Sequence, residues 1–320
     1  MNDPQPTEGD FLPMDEYDEA IDHAPMTTRW VSPGVLYLVA TPIGNRADFS
    51  QRAQAVLSGV DAIACEDTRH ARPLLTHFGI HTPLWAVHQH NEAAQAQHII
   101  AALQAGKAIA VISDAGTPGI SDPGSRLVRA VAAAGLVVSP VPGASAVISA
   151  LSASGFGDQP FWFEGFLPSK VAARRVRLQT LQSVAATLAF YEAPHRIGEM
   201  LQDACAILGA ERPVVIGREL TKRFESIVHT TLADACAAIE SGRIPARGEF
   251  VVLVAAESSS EPAREAVAVD RLLTVLHEEG VSARSMARVL VEVAGFRRNE
   301  AYARAQAVTG KAIPSPLAQD

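Results

Sequence analysis

The chain has few cysteines: only three among 320 residues, at Cys65, Cys205 and Cys236. An odd number of widely separated cysteines fits neither a disulfide framework nor a zinc site. We therefore expect the three to be small, buried apolar residues of a protein that works in the reducing cytoplasm.

Long hydrophobic runs are also missing, although hydrophobic residues make up 48% of the chain. Proline, glycine or a charged residue interrupts each apolar run well before the ~20 residues that a membrane-spanning helix requires. The N-terminus lacks a basic segment followed by an apolar one, so we expect neither a secretory signal nor a membrane partner. The hydrophobic content instead predicts buried cores, in a chain long enough for two domains and a small third.

Several common ligand motifs are absent as well. The sequence contains neither the G-x-G-x-x-G fingerprint of dinucleotide-binding folds nor the G-x-x-x-x-G-K-[ST] loop that holds nucleotide phosphates. Ser145 has no G-x-S-x-G elbow around it, which argues against a hydrolase triad. No metal is expected, because His88, His90 and His98 have no partner carboxylate at ligand spacing.

Acidic charge is unevenly distributed along the chain. Of the net charge of −8, about −7 falls on residues 1–33, which hold eight acidic residues and one arginine. This segment has no apolar period, and we predict that it is a disordered tail. The far end of the chain is basic, which suits either a solvated charged surface or a weak polyanion-binding face. Its charged residues are Arg284, Arg288, Arg297, Arg298, Arg304 and Lys311, against Glu292 and Glu300.

Strand-length apolar runs alternate with helix-length segments through most of the chain. From 34 to 157 the alternation is regular and predicts an α/β domain with a mostly parallel sheet. From 158 to 257 a hairpin-like pair near 214–230 predicts a second α/β domain with a mixed sheet. After a polar linker at Ser258–Glu265, three short helices predict a small basic helical domain over 265–312.

Cap and turn residues indicate where individual elements begin and end. An acidic N-cap near Asp48 predicts the first helix. A short strand is expected over Phe161–Phe163, followed by a loop over Glu164–Lys170. The last two helices are expected to begin at the N-caps Ser282 and Asn299.

The most informative segment runs from Ala108 to Ser145. Its apolar strand ends at Ser113-Asp114 and enters a loop rich in glycine and proline, A-G-T-P-G-I-S-D-P-G. A second such loop, P-G-A-S, follows the next predicted strand. Loops after neighbouring parallel strands can face each other across one crevice, where open α/β sheets bind their ligands. Asp114 would bond a ribose hydroxyl or a ligand ammonium there, unless it is a simple turn or N-cap aspartate.

Charged clusters follow two further predicted strands. In E-D-T-R, the residues Glu66, Asp67 and Arg69 form either a salt-bridged helix start or, in a crevice, a general base and a phosphate clamp. The segment Y-E-A-P-H-R ends a strand of the second domain, where His195 is expected to cap or pack. A basic helix start, which is either a solvated face or a strip that holds an RNA backbone, consists of Lys170, Arg174, Arg175 and Arg177.

As a set, the segments of this chain resemble the tetrapyrrole methylase superfamily, the class III S-adenosylmethionine methyltransferases. More narrowly, they resemble the bacterial 16S ribosomal RNA cytidine 2′-O-methyltransferases of that superfamily. The resemblance covers roughly residues 34–255 in the family's order, and P-G-A-S departs from the P-G-P that is common at that point. The matching segments are L-Y-L-V-A-T-P-I-G-N, A-C-E-D-T-R-H, F-G-I, H-x-H-N-E, I-S-D-A-G-T-P-G-I-S-D-P-G, P-G-A-S-A, F-E-G-F-L-P-S-K, F-Y-E-A-P-H-R, R-E-L-T-K and G-E-F-V-V-L-V.

The resemblance implies two α/β domains of the tetrapyrrole methylase type, with S-adenosylmethionine bound between them, and a small C-terminal helical domain. It implies a homodimer that methylates the ribose 2′-hydroxyl of a cytidine in 16S ribosomal RNA, on the assembled small ribosomal subunit. By position, the resemblance implies cofactor-binding residues in both domains. Those of the second domain are Tyr191, Glu192 and Gly248, of which Gly248 lies in the turn Arg247-Gly248-Glu249. Those of the first domain are Thr41, Pro42, Ile43, Gly44, Asp114, Ala115, Gly116, Thr117, Pro118, Ile120, Gly143, Ala144 and Ser145.

Catalysis needs help at the nucleophile, because a ribose hydroxyl is a poor one. We hypothesise that Glu66 or Asp67 accepts its proton and that Arg69, Lys222 or Arg196 orients the phosphate. The expected RNA contacts are Lys170, Arg174, Arg175, Arg196, Lys222, Arg297 and Arg298.

Three alternatives remain open at this point. A sibling enzyme that methylates a tetrapyrrole or corrinoid carbon would have an aromatic, capacious trough instead of basic loops. A non-catalytic RNA-binding assembly factor would keep the fold without binding S-adenosylmethionine. A dehydrogenase is the third, and the missing glycine fingerprint argues against it.

Overall fold

The computed structural model describes residues 30–87, 92–122, 124–256, 261–293 and 296–309. It divides the chain after Ala255 into two compact units. The first unit contains two β-sheets and their helices, and the second is helical, so the predicted fold class is confirmed. Most of the predicted acidic tail lies outside the described residues, and the finer domain boundaries stay predictions.

The first sheet has five strands, which are β1 (Val35–Val39), β2 (Ala62–Cys65), β3 (Leu84–Ala86), β4 (Ile109–Val111) and β5 (Val137–Val141). All its pairings are parallel, in the order β3-β2-β4-β1-β5. Successive residues pack into different cores: Tyr37 and Ile63 belong to one cluster, and Leu36 and Ala64 to another. Burial on both faces explains why the three inner strands β2, β4 and β1 are apolar throughout.

The second sheet is mixed, and its strands are β6 (Phe161–Phe166), β7 (Thr187–Glu192), β8 (Pro213–Arg218), β9 (Ser226–Thr231) and β10 (Phe250–Val254). Their order is β6-β7-β10-β8-β9. Only β6 and β7 are parallel; β10 is antiparallel to both β7 and β8, and β8 is antiparallel to β9. The hairpin predicted near 214–230 is therefore confirmed as β8 and β9.

The helices of the first unit are α1 (Gln51–Gly59), α2 (Thr68–His77), α3 (Glu92–Gln104), α4 (Ser125–Ala133), α5 (Ala146–Ser152), α6 (Val171–Leu181), α7 (Ile197–Leu208) and α8 (Leu232–Glu240). The expected acidic cap of the first helix is wrong. Asp48 ends a short 3-10 turn, and the cap of α1 is Ser50, whose hydroxyl accepts a hydrogen bond from the Ala53 N–H at 3.1 Å. Serine suits this position because its short side chain satisfies a free N–H of the first turn.

Strand β6 is longer than the sequence predicts. Its pairing with β7 shifts between Phe163 and Gly165, which marks a β-bulge, and then continues to Phe166. Gly165 has φ +73°, a left-handed conformation that glycine adopts without steric cost. The expected loop at Glu164–Lys170 therefore begins only after Phe166, which is the last residue of the strand.

The second unit consists of α9 (Glu261–Glu278), α10 (Ala283–Glu292) and α11 (Arg298–Thr309) around a small apolar core. The Ser282 cap is confirmed, since its hydroxyl accepts from the Ser285 N–H at 3.2 Å. The Asn299 cap is wrong, because α11 already begins at Arg298. The linker prediction is wrong from Glu261 onward, where a glutamate and a proline in the first turn are compatible with a helix start.

The cysteines are reduced in the structure. Cys65 is buried as predicted, whereas Cys205 and Cys236 are only half-buried, at the margin of the second sheet's core. Burial nevertheless raises the pKa of the Cys236 thiol to about 11. Among the described helices, none combines the length and the apolar character that a membrane span requires.

Candidate active site

Three loops of the first domain meet at one edge of the parallel sheet. They follow β4, β1 and β5, which are neighbours, so their carboxyl ends emerge side by side. Thr41 and Gly116 exchange two backbone hydrogen bonds of 2.9 and 3.0 Å between N and O. The Thr117 hydroxyl donates to the Ala144 carbonyl at 3.1 Å. The predicted facing of the two glycine-proline loops is thereby confirmed.

Gly116 occupies a position where a side chain does not fit. Its φ is +77°, and a Cβ at this residue would lie 3.3 Å from Cγ2 of Ile43. Both the backbone conformation and the close approach favour glycine. The residue therefore allows the loop after β4 to lie directly against the loop after β1.

The second domain contributes the ends of its own strands. Because β10 is antiparallel to β7, its first residues lie beside the last residues of β7: Phe250 is opposite Glu192, and Val251 is opposite Tyr191. The Tyr191 ring packs edge-on against Phe166, with ring centroids 5.8 Å apart, and its hydroxyl accepts from the Val147 N–H at 3.1 Å. This last bond joins the second sheet to helix α5 of the first domain.

A cavity of about 340 Å³ lies between these loops and strand ends. Such a volume is in the range of small-molecule and cofactor sites. Nine of the predicted cofactor residues line it, and so does Glu249 from the predicted turn. They are Ile43, Asp114, Ala115, Gly116, Thr117, Ile120, Ser145, Tyr191 and Glu192.

The other predicted cofactor residues do not line this cavity, and several of them pack behind the residues that do. Thr41 is buried and donates its hydroxyl to the Ser113 carbonyl at 3.3 Å. Gly44 and Gly248 lie against the side chains of Lys222 and Glu219. Position in a motif thus identified the loops that border this cavity, but it did not separate the residues that line the cavity from those that pack behind it. The predicted residues outside the lining are Thr41, Pro42, Gly44, Pro118, Gly143, Ala144 and Gly248.

Sequence reasoning missed several lining residues, and most of them belong to segments it had already singled out. Phe166 was placed in a loop because the bulge at Gly165 leaves no pattern in the sequence. Ser121 is in an unusual conformation for a serine, with φ +62°, and a Cβ on Gly165 would lie 2.6 Å from its Oγ. A strained residue at a cavity wall is typical of functional sites. The missed residues are Ser121, Asp122, Ala146, Phe166, Ala193, Pro194, Phe250 and Val251.

The walls of the cavity are acidic, with Asp114, Asp122, Glu192 and Glu249 among the lining residues. Glu192 is only 2% exposed, and burial raises the pKa of its carboxyl. One of its oxygens accepts from the Ala193 N–H at 2.8 Å and lies 3.3 Å from the Arg196 guanidinium. The other is buried without a hydrogen-bond partner among the described residues. A buried orphan oxygen is costly unless a ligand donates to it.

Asp122 is a half-buried carboxylate in the same wall. Burial raises its pKa, and the nearby carboxylates of Glu66 and Asp114 raise it further, against a hydrogen bond from Ser113 that lowers it. Asp114 itself lies 3.1 Å from Nδ1 of the exposed His70. The cavity wall is therefore rich in acidic groups, which favours a ligand that carries positive charge or hydrogen-bond donors.

The three predicted catalytic residues do not reach this cavity. They follow β2, which lies beyond β4 and away from β1 and β5 in the sheet. Asp67 caps α2 by accepting from the Arg69 N–H at 2.8 Å, and its bonds to the guanidinium hold the pKa of its carboxyl well below the usual range. Glu66 is exposed and borders a separate cavity of about 20 Å³. The salt-bridged helix start is thus the arrangement that the structure shows.

One predicted RNA contact is wrong. Arg174 is 1% exposed, and its guanidinium donates to Asp203 at 2.7 Å and to Glu199 at 3.2 Å. It lies on the buried stripe of α6 with Leu178 and Leu181, which follow it by four and seven residues. A side chain so enclosed cannot contact a macromolecule.

The remaining predicted RNA contacts differ in their accessibility. Lys222 pairs with Glu219 at 2.9 Å and with Glu249 at 3.0 Å, and Arg196 donates to the Leu167 carbonyl at 2.6 Å. These two cations therefore position neighbouring groups at the cavity edge. Those left exposed are Lys170, Arg175, Arg297 and Arg298, of which Arg175 pairs with Asp203. Within the described parts of the chain, no group of three histidine, cysteine or carboxylate side chains could hold a metal ion.

Two α/β domains with a ligand cavity at their strand ends define the fold class of the protein, and comparison with known sequences defines its family. The sequence model of the Tetrapyrrole (Corrin/Porphyrin) Methylases matches residues 35–236, and the chain belongs to this family. The crystal structure of diphthine synthase is similar in fold, with a TM-score of 0.54 at 13% identity over 69% of this chain and 90% of that one.

Two curated relatives are similar over almost their whole length. "Ribosomal RNA small subunit methyltransferase I" of Xylella fastidiosa (strain Temecula1) is 48% identical, over 85% of this chain and 98% of the relative. The protein of the same name from Pseudomonas aeruginosa PAO1 is 47% identical, over 88% of this chain and all of the relative.

Proposed function

We propose that this protein is an S-adenosylmethionine-dependent methyltransferase that methylates the ribose 2′-hydroxyl of a cytidine in 16S ribosomal RNA. The observation that carries the proposal is the near-half identity to small-subunit ribosomal RNA methyltransferases over almost their whole length. The cavity agrees with it, because the lining residues suit the methyl donor.

The fit to the donor rests on charge and on the orphan oxygen. S-adenosylmethionine carries a positive sulfonium and an ammonium group, and the four carboxylates of the wall attract both. The buried, unpartnered oxygen of Glu192 would accept from a ligand N–H or O–H. Ile43, Ile120 and Phe250 provide apolar surface for a planar base. Asp114 and Glu192 would thus hold the polar ends of the donor, one from each domain.

When bound, the donor supplies an activated methyl group to a nucleophile that approaches in line with its carbon–sulfur bond. The task of the chain is then to orient the ribose, exclude water and hold the proton of the hydroxyl. The earlier candidates Glu66 and Asp67 lie outside the cavity, so we assign the proton to the carboxylate of Asp122. Burial raises the pKa of this carboxyl, which makes it a better proton acceptor than an exposed aspartate.

The test is to map ribose methylation on small-subunit RNA from cells with and without this protein. One cytidine should lose its 2′-O-methyl group in the deletion strain and regain it when purified protein and S-adenosylmethionine are added to isolated small subunits. An unchanged methylation map would refute the RNA substrate. Methyl transfer to a porphyrin or corrin in place of RNA would favour the sibling enzyme, and calorimetry without heat from S-adenosylmethionine would favour a non-catalytic assembly factor.

We further propose that the enzyme works as a homodimer in the cytoplasm, where small ribosomal subunits are found. Support for the dimer comes from β6, an edge strand whose Phe161, Trp162 and Phe166 are exposed. Exposed apolar side chains on an edge strand favour contact with a second chain. Sedimentation of the full chain should give twice the monomer mass, and Trp162→Glu should shift it toward the monomer. A monomeric wild-type protein would contradict this part of the proposal.

A further inference from the structure

The helical unit has a cavity of its own, of about 230 Å³, between α10 and α11. Arg284, Arg288 and Val291 stand four and three residues apart on α10, and Arg298 and Tyr302 stand four apart on α11. These spacings place each set on one side of its helix. We call this cavity the arginine cleft; it is lined by Arg284, Ala287, Arg288, Val291, Glu292, Arg298 and Tyr302.

The arginine cleft has an excess of positive charge. Three guanidinium groups line it against one carboxylate, Glu292, which pairs with Arg288 at 2.8 Å. Neither Arg284 nor Arg298 forms an ion pair with any residue that the structure describes. Like charges around one cavity repel each other, and the repulsion is relieved when an anion binds.

A neighbouring arginine of the same unit shows what a structural arginine looks like here. Arg304 lies 3.5 Å from Asp270 and 3.6 Å from Glu300, and its guanidinium stacks over the Phe296 ring at 5.1 Å from the centroid. It is neutralised by the unit's own residues. The arginines of the cleft have no comparable set of partners, which points to a ligand from outside.

The other side chains of the cleft narrow the class of anion. Tyr302 is half-buried, and Ala287 and Val291 form an apolar floor. A simple inorganic anion would use the guanidinium groups and leave the aromatic and apolar surface uncovered. A nucleotide of single-stranded RNA uses both, because its phosphate pairs with arginine and its base stacks on an aromatic ring.

We propose that the arginine cleft binds a nucleotide of the RNA substrate, with its phosphate on Arg284 and Arg298 and its base against Tyr302. This inference rests on the proposed function and adds to it a second RNA contact, carried by the helical unit. It also gives the predicted RNA residue Arg298 a defined partner, whereas Arg297 does not line the cleft.

The test compares two double variants of the full chain that remove the same charge. The cleft variant, Arg284→Gln with Arg298→Gln, removes two of the three guanidinium groups that line the cleft. The control variant, Arg243→Gln with Arg271→Gln, removes two exposed arginines that do not line it. The probe is a short fluorescein-labelled single-stranded RNA of mixed sequence, followed by fluorescence anisotropy. The cleft variant should bind it about tenfold more weakly and with a shallower salt dependence, by on the order of one unit of log–log slope. The control variant should stay within about twofold.

Methylation of isolated small subunits supplies the second readout. The cleft variant should show a raised KM for the subunit, with kcat and the affinity for S-adenosylmethionine unchanged. Tyr302→Phe should keep RNA binding and Tyr302→Ala should lose it, at equal thermal stability. Equal RNA binding by the two double variants, or equal loss in both tyrosine variants, would overturn the inference. If the wild type bound RNA through the cleft but did not methylate small subunits, the proposed function would be refuted, and the inference that the cleft binds RNA would still hold.

Discussion

Asp122→Asn is expected to lower the rate of methyl transfer to small-subunit RNA by about 10²–10⁴-fold, the usual range for loss of a general base. The asparagine keeps the shape and polarity of the wall, and it cannot take up the proton of the hydroxyl. Affinity for S-adenosylmethionine, measured by calorimetry, should change by less than about tenfold because Asp114 and Glu192 remain. Single-turnover methylation with saturating donor measures the rate directly.

The pH dependence distinguishes this role from a purely structural one. Burial and the nearby carboxylates raise the pKa of Asp122, and only its ionised form accepts a proton. The wild-type rate should therefore rise with pH through this raised pKa and then level off, and the residual rate of the variant should lack this rise.

Two matched variants probe the earlier hypothesis. Glu66→Gln removes one of the charges that raise the pKa of Asp122, so activity should remain and its acidic limb should move to lower pH. Asp67→Asn should also stay active, because its carboxylate is occupied at the start of α2. If either variant lost most of its methylation activity while Asp122→Asn stayed fully active, the general base would lie in the loop after β2 and not at Asp122.

Asp203→Ala should cost about 3–5 kcal/mol of unfolding free energy, because it leaves the guanidinium of Arg174 buried without its main partner. The same change at Glu199, the other partner of Arg174, should cost under about 1 kcal/mol, since that side chain is 65% exposed. Urea unfolding followed by circular dichroism measures both. A double replacement, Arg174→Met with Asp203→Leu, should recover most of the loss, because it removes both buried charges together.

Acid should reduce the contribution of Asp203. Burial alone raises the pKa of this carboxyl, but the hydrogen bonds from Arg175 and Arg174 outweigh burial and lower it. The stabilisation is therefore complete above the ordinary pKa of an aspartate and is lost as the pH falls through the lowered value of the folded state. The difference between wild type and Asp203→Ala should shrink accordingly. A difference that is small at neutral pH would show that Arg174 is adequately solvated without Asp203.

Much of the first domain is readable from local patterns. Apolar runs that end in glycine- and proline-rich loops predicted β4 and β5, and the prediction that these two loops would face each other is confirmed. This works because neighbouring parallel strands all end at the same sheet edge. The loop after β1 was expected at the site only from the family resemblance. The bulge at Gly165 escaped prediction, since one additional residue in a strand changes the pairing without changing the composition. Because the bulge was not predicted, Phe166 was also missed as a residue that lines the cavity.

The sequence by itself determined which loops border the cavity, because glycine, proline and aspartate restrict a chain locally wherever they stand. Only the tertiary structure decided which carboxylates share a cavity and which arginines are buried. Glu66 and Asp122 both follow apolar strands, and the order β3-β2-β4-β1-β5 puts only the second in the cavity wall. Arg174 and Arg175 are adjacent and chemically identical, yet one is enclosed and the other exposed. Strand order and helix facing depend on contacts between residues far apart in the chain, which local patterns do not record.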